Sequence, residues 1–205
     1  MTTFLLIRHA TNEWVKTGKL AGWTPEVHLN EAGQAQAKAL GERLATQTLH
    51  AIYSSPLERT METAQAIADH HPQLSLQAQP DIGEVHYGAW TGRSLKELRQ
   101  QKLWYNVQHY PSRVQFPEGE TMRGAQARAV NVIEALYKQH PRQTVVLVSH
   151  SDIIKMIVAH YLGMHLDLFQ RINISPASLT SLHLGSGMPT FDIINDITHY
   201  PKDAS

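Results

Sequence analysis

Residues 144–150, TVVLVSH, restrict the fold more than any other stretch of the chain. A strand with one face in water alternates apolar and polar residues. An unbroken apolar run of this length, rich in β-branched side chains, fits a strand covered on both faces, as in a mostly parallel sheet between two helical layers. Residues 4–8, FLLIR, repeat the pattern near the amino end. Both runs stop abruptly at polar groups that are costly to bury without a partner: Arg8 and His9 after the first, His150 after the second.

Helical periodicity alternates with these runs. From Asn30, NEAGQAQAKALGERLA spaces small and apolar residues for a helix, with Asn30 as its cap. AIYSS (51–55) reads as a strand, and PLERTMETAQAIADH (56–70) as a helix with Pro56 at its first position. LSLQA (74–78) suits another short strand. A helix is expected near 94–103, a long one from Thr121 despite Gly124, and an amphipathic one in DIIKMIVAHYLG after the 144–150 strand. Residues 177–196 alternate and suggest two strands joined through Gly185 to Gly187, adding an antiparallel edge. The expectation is an α/β fold, a three-layer αβα sandwich with a mostly parallel central sheet. All 205 residues are expected to form one domain, in which residues 79–120, rich in Pro, Gly and aromatics, are an insertion that covers a site.

Composition narrows the chemistry. Formal net charge is zero, so no global field draws the chain to nucleic acid or an anionic membrane, and any affinity for anions must be local. The absence of cysteine excludes disulfides, Cys-ligated zinc and thiol nucleophiles. Neither a signal peptide nor the roughly 18 consecutive apolar residues of a membrane span is visible, and a cytoplasmic protein is expected. Of 13 histidines, most are scattered singly and read as surface residues; His70 and His71 read as a helix end, and no metal-ligand spacing appears. Neither metal nor cofactor is expected.

In a parallel sheet, ligands gather beyond the carboxyl ends of the strands. Three strands deliver polar groups to that edge: Arg8 and His9, Arg59 in SSPLERT, and His150 in VSHSD. A cation in the first turn of a helix is mildly unfavourable, and an anion held there by arginine and backbone N–H groups reverses the cost. Two guanidiniums and two imidazoles suit a phosphoryl group, whose oxygens match the arginine fork. A neutral imidazole whose second nitrogen is oriented by a hydrogen bond can attack phosphorus. His9, beside Arg8, is the expected nucleophile, and His150 the stabiliser of phosphoryl oxygens. An acid must protonate the leaving alkoxide. DIGEVHYGAWTGRS (81–94) offers Glu84 near Tyr87 and Trp90, which could shield it and raise its pKa. Asp81, Glu118, Glu120 and Asp152 compete with it. Glu118 and Glu120 read as preceding and capping the helix at Thr121. Spacing does not separate Glu84 from Asp81.

Together these segments resemble the histidine phosphatase superfamily, the phosphoglycerate mutase-like proteins, over about residues 4–185. LLIRHATNEW is close to the family's Arg-His-Gly opening, and GWTPEVHLNEAGQAQA (22–37) to the segment before its first helix. YSSPLERTMETA (53–64) matches its second-arginine motif, GEVHYGAWTG (83–92) the acid-bearing segment and VSHSDIIK (149–155) the second-histidine motif. The resemblance implies a metal-independent phosphatase in which His9 is phosphorylated, Glu84 donates the proton, and Arg8, Arg59 and His150 complete the phosphate pocket. It places the backbone of Ala21 and Gly22 near a small phosphorylated substrate. Asn12, Tyr87 and Ser151 join Arg8, Arg59 and His150 as the remaining expected substrate contacts. Ala10 and Ser151 stand where the family has glycine, and Val15 where a phosphate-binding asparagine is frequent, a place Asn12 could take over. Mutases follow the acid with arginine and carry a longer, more basic insertion; here Val85 follows, with scattered Arg93, Arg99 and Arg113. Hydrolysis is therefore expected over phosphomutase activity, and a binding module without turnover is the third reading.

Overall fold

The computed structural model describes residues 1–200. Six strands form one sheet: β1 (Thr2–Arg8), β2 (Ala51–Ser54), β3 (Leu76–Ala78), β4 (Thr144–Ser149), β5 (Leu179–Leu184) and β6 (Thr190–Asp196). Their order is β3-β2-β4-β1-β5-β6. The first four lie parallel, and β5 and β6 add the antiparallel edge. The helices are α1 (Glu13–Lys16), α2 (Glu31–Leu44), α3 (Glu58–Ala68), α4 (Leu95–Leu98), α5 (Lys102–His109), α6 (Met122–Gln139) and α7 (Ser151–Tyr161).

The unbroken apolar runs have the expected cause. Successive β1 side chains point to opposite faces: Phe4 and Leu6 pack with α6 and α7, and Leu5 and Ile7 with α2 and α3. Each such burial is worth about 1.5–3 kcal/mol, which both faces of the central strands collect. Because β4 lies between β1 and β2, the carboxyl ends of all three open side by side. Arg8 pairs in register with Ser149, and Ser54 with Val148, so Arg8, His150 and the start of α3 are neighbours by construction.

Several sequence expectations shift. Pro56 is not the first residue of α3. Ser55 continues the ladder by donating to the Val148 carbonyl at 2.9 Å, residues 55–57 turn the chain, and Leu57 is the N-cap. Arg59 still falls in the first turn. The helix expected near 94–103 is two, α4 and α5, interrupted at 99–101 so that Leu98 and Val107 both reach the core. The strand expected at 74–78 is only Leu76–Ala78. Helix α1, which the sequence reading missed, is a single turn capped by the Asn12 side chain on the Val15 N–H. The helix at Thr121 is capped by Thr121 itself and not by Glu118 or Glu120. His71 is buried, its Nε2 bonded to the Leu44 carbonyl, and so is not a surface histidine.

Gly33 allows α2 to press against the strand-end loop that carries His9. A Cβ there would lie 2.0 Å from the Thr11 carbonyl oxygen, which backbone cannot yield cheaply. Gly33→Ala is expected to cost about 1–3 kcal/mol, read as a Tm lower by roughly 3–10 °C. Gly187→Ala, with nothing within 4 Å of the new methyl, should leave Tm nearly unchanged. Equal melting of the two variants would contradict this packing.

Candidate active site

The strand ends surround a cavity of about 310 Å³ lined by Arg8, His9, Asn12, Ala21, Gly22, Arg59, Glu84, Tyr87 and Ser151 among others. His150 lies fully buried against it, its ring centroid 5.3 Å from that of His9. The whole expected set is thus brought together.

Hydrogen bonds fix the state of both rings. The His9 Nδ1 is 2.7 Å from the Ala10 carbonyl, which can only accept, so Nδ1 carries the proton and Nε2 keeps its lone pair. The Arg59 Nη2 lies 3.3 Å from His150 Nδ1 and can only donate, so His150 is protonated on Nε2, which donates to Ser55 Oγ at 2.9 Å. Burial, then Arg59 and Arg8, hold the His9 pKa well below its usual value. Burial, then Arg59, His9 and Arg8, do the same to His150. Both imidazoles are therefore neutral near pH 7.

The arginines feel Glu84 only at longer range. Arg8 donates Nη1 to the Ile174 carbonyl at 2.7 Å, and Arg59 donates Nη2 to the Gly22 carbonyl at 2.8 Å. Among the described residues, neither guanidinium has a carboxylate within salt-bridge range, although Arg59 is only 1% exposed. Arg8 Nε, Arg59 Nη1 and Asn12 Nδ2 are buried donors without any acceptor. Orphaned buried donors of this kind are rare and expensive. Three around one cavity, two of them cationic, match an anion with several oxygens. The Gly22 carbonyl is presented by a left-handed backbone (φ 53°), and an added Cβ would press on Thr91 and Tyr87.

Two of the candidate acids, Glu84 and Asp152, line the cavity; Glu84 is the one beside His150. Its Oε2 lies 3.8 Å from His150 Nδ1, and Oε1 accepts from the Val85 N–H at 2.9 Å. Burial, with Asp152 adding to it, pushes its pKa up to about 7. Asp81 and Glu118 are exposed, and Glu120 is committed to Arg128 and the His86 N–H. Arg128 and Trp23 were not foreseen as supports. Arg128 binds the carbonyls of Asp81, Gly83 and Glu84, and Trp23 Nε1 donates to the Glu84 carbonyl at 2.6 Å. They clamp the acid-bearing segment from two sides, and nothing in the spacing of the sequence signals it. Trp23 therefore does not line the cavity, whereas Trp14, Trp90 and Trp104 do.

The departures from the family pattern are accommodated. Ala10 packs with Leu29, Ala37, Ala177 and Tyr200 and needs no left-handed backbone; Val15 is partly exposed in the cavity lining, and Asn12 Nδ2 is a buried donor in the same lining. A profile of the histidine phosphatase superfamily (branch 1) matches residues 4–197. The chain belongs to this superfamily. Its relatives include phosphoserine phosphatase 1 of Hydrogenobacter thermophilus, 32% identical over 90% of this chain and 87% of that one. A bisphosphoglycerate-dependent phosphoglycerate mutase of Corynebacterium kroppenstedtii is 26% identical over 94% and 86%. Among solved superfamily structures, a histidine-to-alanine mutant of Entamoeba histolytica phosphoserine phosphatase bound to phosphoserine superposes with a TM-score of 0.88. It is 26% identical and covers 97% of this chain and 99% of that one. Among the described residues no helix is long and apolar enough to cross a membrane, and no group of three or more His, Cys, Asp or Glu could hold a metal ion.

Proposed function

We propose that the protein is a phosphomonoesterase that works through a phosphohistidine at His9. The observation that carries this reading is the ring of unpaired buried donors, Arg8 Nε, Arg59 Nη1 and Asn12 Nδ2, around a neutral His9 whose Nε2 is free. The guanidiniums bind the phosphoryl oxygens and neutralise the charge that spreads over them during transfer. His150, oriented by Ser55 and Arg59, stands beside the phosphoryl oxygens, and when the ester binds as its monoanion the ring shares the ester's own proton through Nδ1. His9 Nε2 forms the bond to phosphorus as the ester P–O bond breaks, and protonated Glu84 gives its proton to the departing alkoxide. Water, deprotonated by Glu84, then attacks the phosphohistidine. Inorganic phosphate leaves, and His9 and Glu84 return to their starting states.

The mutase relatives raise phosphomutase activity as the second reading. It requires a second cation set to retain a bisphosphorylated intermediate. The cavity holds Arg8, Arg59 and the exposed Lys19 as its only full cations among the described lining residues, balanced by Glu84 and Asp152; Val85 is buried in the core and Arg93, Arg99 and Arg113 are elsewhere. Water meets fewer obstacles than a reorienting bisphosphate would. The third reading, binding without turnover, leaned on Ala10 and Val15, which neither strain nor block the site.

The named activity of the relatives makes phosphoserine the first substrate to try, in a small-molecule, cytoplasmic, one-domain enzyme whose segment 79–120 roofs the cavity. The deciding experiment measures phosphate release from phosphoserine, sugar phosphates, nucleotides and aryl phosphates, with and without EDTA, beside interconversion of 2- and 3-phosphoglycerate. Release that EDTA leaves intact supports the proposal. Fast interconversion with negligible release from every monoester would replace it with the mutase.

A further inference from the structure

The cavity contains an acid that the phosphoryl chemistry does not use. Asp152 is the second residue of α7 and lines the cavity on the side of Glu84, the side by which the leaving alcohol departs. The Tyr87 hydroxyl donates to its Oδ2 at 3.0 Å, and the Lys155 ammonium lies 3.6 Å from its Oδ1. Tyr87 is itself buried in the core, and Lys155 is tied to Gln170 at 3.1 Å, so the carboxylate is aimed by rigid neighbours. Each carboxylate oxygen offers two lone-pair directions, and these contacts use one apiece.

A carboxylate here repels a phosphate dianion, while Lys155, Tyr87 and the first turn of α7 stabilise the carboxylate. The groups around it are Glu84, Arg8, Tyr87 and Lys155, with Lys19 at the mouth. The remaining wall toward the opening is apolar or amide, formed by Trp14, Leu20, Trp104, Val107, Gln108 and Gln170. A hydroxyl on a neutral leaving group can give Asp152 a hydrogen bond but brings no opposite charge. A cationic one, held next to the ester oxygen, meets a fixed acceptor in a low-dielectric wall.

We propose that Asp152 is a specificity-determining residue that selects phosphomonoesters whose leaving alcohol carries an ammonium group one or two carbons from the ester carbon. The substrate class is thus amino-alcohol phosphates, recognised by the ammonium and not by a carboxylate; phosphoserine and phosphoethanolamine are both members. The proposal rests on the phosphatase reading of the same site.

Matched pairs test it. kcat/KM is measured for phosphoethanolamine against 2-hydroxyethyl phosphate, and for phosphoserine against 3-phosphoglycerate of matching configuration, with 4-nitrophenyl phosphate alongside. In the unmodified protein the ammonium member of each pair should lead by about tenfold or more, the size of one charge-assisted hydrogen bond. In Asp152→Asn the ratio should fall toward one, chiefly through a higher KM for the ammonium member, and Asp152→Glu should restore part of it. A ratio does not respond to a uniform loss of folded enzyme. If 4-nitrophenyl phosphate is hydrolysed but the unmodified protein does not prefer the ammonium members, the proposal is wrong and the phosphatase reading stands. If Asp152→Asn slows both members alike, Asp152 acts through Glu84 or the fold, and the proposal is wrong again. If no monoester is hydrolysed, both fall together.

Discussion

His9→Ala is expected to lower phosphate release by at least about 10³-fold for every monoester, good leaving group or poor. The size follows from the role: Nε2 forms the bond to phosphorus, and the nearest other ring, His150, has Nε2 turned to Ser55 and Nδ1 facing Arg59 and so is not placed to substitute. Binding should survive, because the donors on Arg8, Arg59 and Asn12 remain. The variant should still be protected against heat by vanadate or phosphate while failing to turn over. In the unmodified protein, rapid quench with a labelled substrate should trap a phosphoryl group that is stable in alkali and lost in acid, as expected of a phosphoramidate. Label that survives acid, or a His9→Ala variant with near-normal turnover, would remove the nucleophile from the scheme.

Glu84→Gln should separate substrates by their need for a proton. With alkyl phosphates the loss should be about 10²–10⁴-fold, the usual reach of a positioned acid. With 4-nitrophenyl phosphate, whose leaving group departs as an anion, the loss should be far smaller. The pH profile follows with a definite sign. Glu84 acts while protonated, and with its pKa pushed up to about 7 the donor form is lost as pH rises through neutrality, so alkyl-phosphate turnover should fall about tenfold per pH unit beyond it. His9 acts while neutral, and because burial and the two arginines hold its pKa well below the usual value, the acid limb lies well on the acid side of 6.5. The optimum is therefore mildly acidic, and the alkaline limb should vanish in Glu84→Gln. Equal losses on both substrates, or an unchanged alkaline limb, would move the acid elsewhere, with Asp152 the next group to test.

How much of this was legible in the sequence varies with the kind of signal. β1 and β4 were readable because burial on both faces leaves no polar position within the run, and their polar stops located Arg8, His9 and His150. Arg59 was readable as a misfit, a cation in a helix's first turn. The split between α4 and α5 was not, since both halves keep helical periodicity, and the break shows only in three dimensions, where each half buries one apolar residue, Leu98 and Val107. Choosing Glu84 over Asp81 needed three dimensions, because Asp81 sits on the exposed side of a single 3-10 turn (80–82) and Glu84 lies just beyond it at the cavity. Arg128 was invisible for a similar reason: apart from Glu120, its partners are carbonyl oxygens, and every residue has one.

The order of strands has a last consequence. Arg8 ends β1 and His9 follows it, His150 follows β4, and Arg59 follows β2, so these groups meet only after the sheet has joined segments far apart in the chain. No fragment shorter than the stretch from Arg8 to His150 possesses them together. Affinity for the anion is consequently a cooperative property of the completed architecture: a nascent or clipped polypeptide is blind to its ligand, and the ligand in turn rewards only the finished molecule.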